Sequence, residues 1–283
     1  MRVVSLHFYP IKGVRAVNPD GVRVAPRGLD GDRRWLVVDR TGMFHTQRSR
    51  SGLATITAVP TVARGLRLSA PGVDDLLIDP PMGHERMDVT VWDTTVSAAV
   101  ADAKAHAWVS AVLGDDVLLV HMDAQTERLK RGIWTVEPLP VTFADAYPVL
   151  IATTGSLAAL NAEIVARGGA AVPMARFRPN IVIECDDPWR EDYWKALRIG
   201  GIEVDLVKPC DRCIVTTKDQ MTGESMGKEP LDSLVRLRMS ADPRVKGVLF
   251  GWNSVPRAIG RVAVGDRVEV LAERPEGFPL ARA

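Results

Sequence analysis

Short apolar and β-branched runs, each closed after a few residues by Gly, Pro or Asp, fill the first hundred positions. Runs of that length are stable only when they pair with neighbours, so the chain has to build sheets. They cover 3–9, 34–39, 43–47, 53–59, 65–69, 76–78 and 87–96, and Arg40-Thr41-Gly42 turns the second into the third. Strands this closely spaced predict a barrel or sandwich. Pro71-Gly72 and Pro80-Pro81 mark loops.

Helical periodicity enters later. Asp102 is placed to cap a helix with Ala105, Trp108, Val109, Val112 and Leu113 on one face, ended by Gly114. Ser156 is placed to cap a second, with Leu157, Leu160 and Ile164 inward and Gly168-Gly169 as the stop. Pro188 predicts a short helix over 189–197, and a further helix is expected over 230–238. Strands are expected at 116–121, at 199–207 about Gly200-Gly201, at 213–218, and at 260–271 about Val264-Gly265-Asp266. The fold class expected is mixed α+β, predominantly β. The segment 130–145, with Pro138 and Pro140, is the best place for a boundary.

Composition narrows the function classes. The chain has 283 residues. A chain that long buries about 75% of its unfolded surface and holds one large domain or two joined ones. A net charge of +1 argues against a protein held to nucleic acid by bulk electrostatics, although a local anion site remains open. Only 8 of the 36 basic residues are lysine. Arginine forks suit phosphate and carboxylate, but a genome rich in GC produces the same bias. Three cysteines exclude a disulfide framework and a centre needing four thiolates. A reducing, cytoplasmic compartment is the simplest expectation. The N-terminal MRVVSLHFYPIKG lacks a signal peptide's continuous apolar region, and no run of 18 apolar residues predicts a membrane span.

The strongest local feature is Lys208-Pro209-Cys210-Asp211-Arg212-Cys213 followed by Ile214-Val215-Thr216-Thr217. As half a zinc site it lacks partners, because only Cys185 remains and no His pair has metal spacing. As a thioredoxin-like pair it lacks the helix that should begin at the first Cys. A third reading is a functional thiolate on a turn between strands, its pKa lowered by Lys208 and Arg212 and soft enough for a transition metal. Two structural cysteines in a tight turn remain an equal alternative.

Weaker features follow. In Arg176-Phe177-Arg178-Pro179-Asn180, Pro179 biases Arg178 towards extended backbone, and strand alternation puts Arg176 and Arg178 on one face. Two forks and the Asn180 amide then suit an anionic ligand rich in heteroatoms, unless they only line a solvated strand entry. Lys12 after the first strand, Arg33 in Asp32-Arg33-Arg34-Trp35 and Arg48 in Thr46-Gln47-Arg48 can hold a phosphate, though each alone is more often a surface charge. Asp145, just before the apolar run 149–152, faces a cleft or caps a turn. HExxH, GxSxG, Walker and GxGxxG patterns are missing. His106 reads as a surface residue, and His7 and His121 as core or rim residues.

Taken in order, these pieces resemble the MOSC family, in particular members with an N-terminal MOSC β-barrel region ahead of the MOSC domain. The likeness runs through YPIKG, GDRRW, FHTQR, FADAYP, RFRPNIVIE, VKPCDRCIVTTKD, KEPLDSLVRLR and RVAVGDRVEVL. It implies an N-terminal β-barrel-like region over 1–125 joined to a MOSC β-barrel with flanking helices over 126–275. It also implies a molybdenum cofactor, a metal held by a pterin dithiolene that carries a phosphate. Position by position, Cys213 matches the metal ligand and Arg212 the residue before it. Arg178 and Asn180 match pterin contacts, Lys12, Arg33 and Arg48 match basic positions near the phosphate, and Asp145 matches a pocket aspartate. The family often has Ser where this chain has Gly13.

The resemblance implies an oxidoreductase that reduces N-hydroxylated compounds to amines. No plant-type ferredoxin cysteine pattern follows the barrel, so electrons are expected from separate donor proteins, ferredoxin-like or cytochrome b5-like with a reductase. Two rivals stand beside it: a sulfur-transfer protein carrying a persulfide on Cys213, and a non-catalytic pterin carrier.

Overall fold

A computed structural model describes residues 1–281. Its largest sheet has seven strands in the order Arg2–Leu6, Ile181–Glu184, Val149–Thr153, Leu249–Pro256, Ile202–Asp211, Trp194–Ile199 and Val268–Glu273. Neighbours are antiparallel, except Val149–Thr153 beside Ile181–Glu184. The two ends of the sheet meet. The Val3 N–H donates to Asp266 O at 2.9 Å, and the Gly265 N–H to Val3 O at 2.8 Å. The curled sheet encloses a core containing Leu6, Ile151, Ile181, Leu197, Val204 and Trp252. Period two makes this possible: Ile202, Val204 and Leu206 are buried while Glu203 and Asp205 face out to Arg257.

The first half folds around its own sheets. Trp35–Val38, Leu118–His121, Thr94–Val100 and Arg86–Val91 form one; Thr57–Pro60, Leu66–Ala70 and Val73–Ile78 form another. Between them lie Ile11, Trp35, Leu53, Ile56, Trp108 and Leu119. Helix α1 (Ala103–Leu113) closes this core, with the Asp102 carboxylate accepting the Ala105 N–H and Gly114 at φ 63° as its stop. Helices α2 (Thr154–Ala166) and α3 (Leu231–Arg238) cover the large sheet over Leu160, Phe177, Leu234 and Phe250. The two halves share sheets: Arg2–Leu6 belongs to the large one, and Gly21–Ala25 pairs with Gly260–Ala263.

Several local expectations are corrected. Residues 53–59 are split into a 3-10 turn, Ser51–Thr55, and the strand Thr57–Pro60. The cap of α2 is Thr153, whose hydroxyl accepts the Ser156 N–H, because Ser156 turns inward to the buried Glu191 carboxylate. The helix expected over 189–197 is a 3-10 turn, Arg190–Asp192, followed by the strand Trp194–Ile199. Trp194, Ala196 and Ile199 are buried while Lys195 and Arg198 face out, so core packing overrides the Pro188 signal. The strand expected at 213–218 is a 3-10 turn, Ile214–Thr217. There the Thr216 and Thr217 hydroxyls donate to the Cys213 and Ile214 carbonyls, giving a β-branched run a local alternative to a ladder. His106 is half-buried, and its Nδ1 accepts the Leu119 N–H.

Candidate active site

Loops from both halves surround a cleft of about 900 Å³. Lys12, Arg33, Arg48, Asp145, Arg178, Asn180, Arg212 and Cys213 all line it. Lys12 follows a bridge between Ile11 and Trp35, which fixes the loop after the first strand. Its buried ammonium donates to Asp145 Oδ1 at 2.5 Å and to the Phe143 carbonyl at 2.8 Å. The Trp92 indole N–H donates to the same Asp145 oxygen at 3.0 Å. Asp145 is exposed at the cleft; the protein around it opposes ionisation, but the Lys12 charge and these hydrogen bonds outweigh that and hold the carboxyl well below its usual range.

Arg33 and Arg178 both lie over the Tyr9 ring, at 4.4 and 4.0 Å from its centroid. Asp32 neutralises Arg33 at 2.6 Å. Arg178 has no carboxylate partner among the described residues: Nη1 donates to Gln220 Oε1 at 3.0 Å, and Nη2 is buried without a partner. Burial lowers its pKa to about 10, which leaves it charged at neutral pH. Arg212 is likewise without a carboxylate. It donates to Cys210 Sγ at 2.8 Å and to the Phe177 carbonyl at 2.6 Å, and its Nε is buried and unpartnered. The Arg48 guanidinium stacks on Trp92 at 4.6 Å.

The backbone carries strain here. Arg33, Trp92 and Arg178 have φ of 48°, 59° and 52°, in the left-handed region that non-glycine residues avoid. They are three of the five such residues described, and all three line the cleft. Strain of this kind concentrates where a ligand is gripped.

Three expectations are corrected. Arg178 is not extended: Met174–Phe177 is a 3-10 turn with Arg178 as its left-handed cap. Arg176 therefore points elsewhere and donates to the Thr216 carbonyl, so the two forks do not converge. The Asn180 carboxamide is taken up by backbone, accepting the Leu150 N–H at 3.0 Å and donating to the His7 carbonyl at 3.1 Å. Finally, the cations flanking the thiols are aimed away from Cys213. Lys208 pairs with Asp211 at 2.6 Å and Arg212 with Cys210. Burial pushes the Cys210 thiol up, while Cys213 is exposed at the cleft.

Residues 1–116 match the MOSC N-terminal beta barrel domain, and residues 138–269 match the MOSC domain. The chain is 31% identical to mitochondrial amidoxime reducing component 2 of Bos taurus, over 96% of this chain and 83% of the relative. It is 31% identical to mitochondrial amidoxime-reducing component 1 of Homo sapiens, over the same shares. The chain belongs to the MOSC family. Among the described residues of this MOSC protein, no helix is long and apolar enough to cross a membrane.

Position 13 lies where a side chain would be strained. Gly13 has φ +90°, and a Cβ there would sit 3.0 Å from Leu53 Cδ1. Four cleft features had no local sequence signal: Trp92, the Gln47–Gln220 amide pair, Arg128, and the loop 130–134. Arg128 is buried and donates to the Thr142 and Ala144 carbonyls, which fixes the loop that presents Asp145.

Proposed function

We propose that this MOSC protein reduces N-oxygenated compounds, hydroxylamines and amidoximes among them, with a molybdenum cofactor held in the cleft. The carrying observation is an exposed thiol, Cys213, in the same cleft as two guanidinium groups without carboxylate partners, each with a buried, unsatisfied N–H. Such groups fit an anion that brings a thiolate-binding metal with it. The names of the relatives, amidoxime reducing components, support the choice of substrate.

When bound, the molybdenum cofactor supplies two-electron removal of an oxygen atom. The net reaction takes RNHOH, two electrons and two protons to RNH2 and water. Cys213 is the protein's ligand to the metal. Arg178, Arg212 and Arg48 supply charge for the pterin and its phosphate, with Lys12 and Arg33 behind them. Asn180 holds the wall by tying the 150 and 7 backbones together. Asp145, kept ionised by Lys12 and Trp92, is a fixed acceptor that orients a donor at the cleft and is a poor proton donor at neutral pH. Electrons come from separate donor proteins.

The test compares wild type with Cys213→Ala, both purified anaerobically. We expect about one molybdenum per chain in wild type and none in the variant. Benzamidoxime reduction under an artificial reductant should fall by more than the ~10- to 100-fold typical of losing a group that only supports a metal ligand. Retained activity in the variant overturns the mechanism. A persulfide mass shift on Cys213 without molybdenum points instead to sulfur transfer, and bound cofactor without turnover points to a carrier.

A further inference from the structure

We propose that Gln220, gripped by Gln47, is the positioning residue that aims the Arg178 guanidinium into the cleft without neutralising it. This rests on the reading of the cleft as the site of an anionic cofactor.

Arg178 sits in left-handed backbone, a conformation that needs outside support. Its side chain has one hydrogen-bond partner, Gln220 Oε1 at 3.0 Å, and the Tyr9 ring beneath it. Gln220 in turn is fixed on several sides. Its amide donates to Gln47 Oε1 at 3.1 Å and to the Lys218 carbonyl at 3.2 Å, while its oxygen accepts from Gln47 Nε2 at 3.1 Å. Gln47 is buried and also donates to the Gly13 carbonyl at 2.8 Å. One reciprocal amide pair therefore joins three cleft walls: the Gly13 loop, Arg178, and the turn that follows Cys213.

The residue type matters. A carboxylate at 220 would hold Arg178 as firmly, but it would cancel the charge an incoming anion needs, as Asp32 does for Arg33. A neutral amide orients the fork and leaves its charge and its second nitrogen free. Glutamine is thus the acceptor that positions without competing.

The experiment is a double-mutant cycle with Gln220→Met and Arg178→Lys in the holoprotein. Molybdenum per chain and fluorescence of the released, oxidised pterin are followed through anaerobic dialysis, with Tm as the control for folding. We expect Gln220→Met to lose cofactor about tenfold faster at a Tm close to wild type. In the Arg178→Lys background the same change should have no further effect, because the group it acts through is gone. Wild-type retention in Gln220→Met, or effects that multiply across the cycle, would overturn the proposal. If Gln220→Met does not fold, Gln47→Met takes its place, since it leaves the bond to Arg178 and removes the grip behind it together with the bond to the Gly13 carbonyl. A wild-type protein that holds no molybdenum even after anaerobic reconstitution defeats the cofactor reading itself, an outcome separate from a loaded protein indifferent to Gln220.

Discussion

The charges that matter here are defined by what each is paired with, and pairing is invisible in a list of basic residues. Lys12, Arg33 and Lys208 meet carboxylates, while Arg178 and Arg212 do not. The sequence picked out Lys12, Arg33, Arg178 and Arg212 alike, and only distance separates the neutralised from the available. Burial creates a second distinction, at His121. Its ring lies 4.5 Å from Trp35 and its Nδ1 is buried without a partner. Burial, with Arg34 adding to it, pushes its pKa down to about 4. The unfolded imidazole titrates near about 6.5, so between those values the unfolded chain holds more protons. Stability is therefore full above about pH 6.5 and falls as the pH drops towards 4. His121→Leu should flatten that loss, read as Tm against pH from about 4.5 to 7. Position 13 yields a prediction of opposite intent. Gly13→Ser would add a hydroxyl at the cleft, yet at φ +90° and against Leu53 it should cost about 1–2 kcal/mol, measured by denaturant unfolding.

Elements with strong local punctuation were legible. Asp102 and Gly114 bracket α1 as expected, and the hairpin about Gly200-Gly201 joins Trp194–Ile199 to Ile202–Asp211. Asp102→Ala should therefore lower stability by about 1 kcal/mol. Thermal scans should show this as a drop of about 2–4 °C. Two of the segments that failed lie around the cleft. At 176–178 and 213–218 the β-branched and Pro signals favoured extended chain, but tertiary partners and threonine hydroxyls drew both into 3-10 turns. Sequence reasoning reached the cleft residues through family likeness and their order. It missed Trp92 and the Gln47–Gln220 pair because neither has a spacing rule, only a distant partner.

The whole molecule is interleaved. A fragment covering 126–283 would lack Arg2–Leu6 and Gly21–Ala25, and with them one edge of the large sheet and the partner of Gly260–Ala263. Such a fragment should fail to unfold cooperatively by circular dichroism, and adding the 1–125 fragment during refolding should restore the transition. The meeting of Val3 with Gly265 and Asp266 also sets an order of events in the cell. A chain still emerging from the ribosome can pair its first strand with Ile181–Glu184 on one edge, while the other edge waits for a segment more than 250 residues away. Until that far segment arrives the seam stays open, so the barrel closes only when nearly the whole chain has been made.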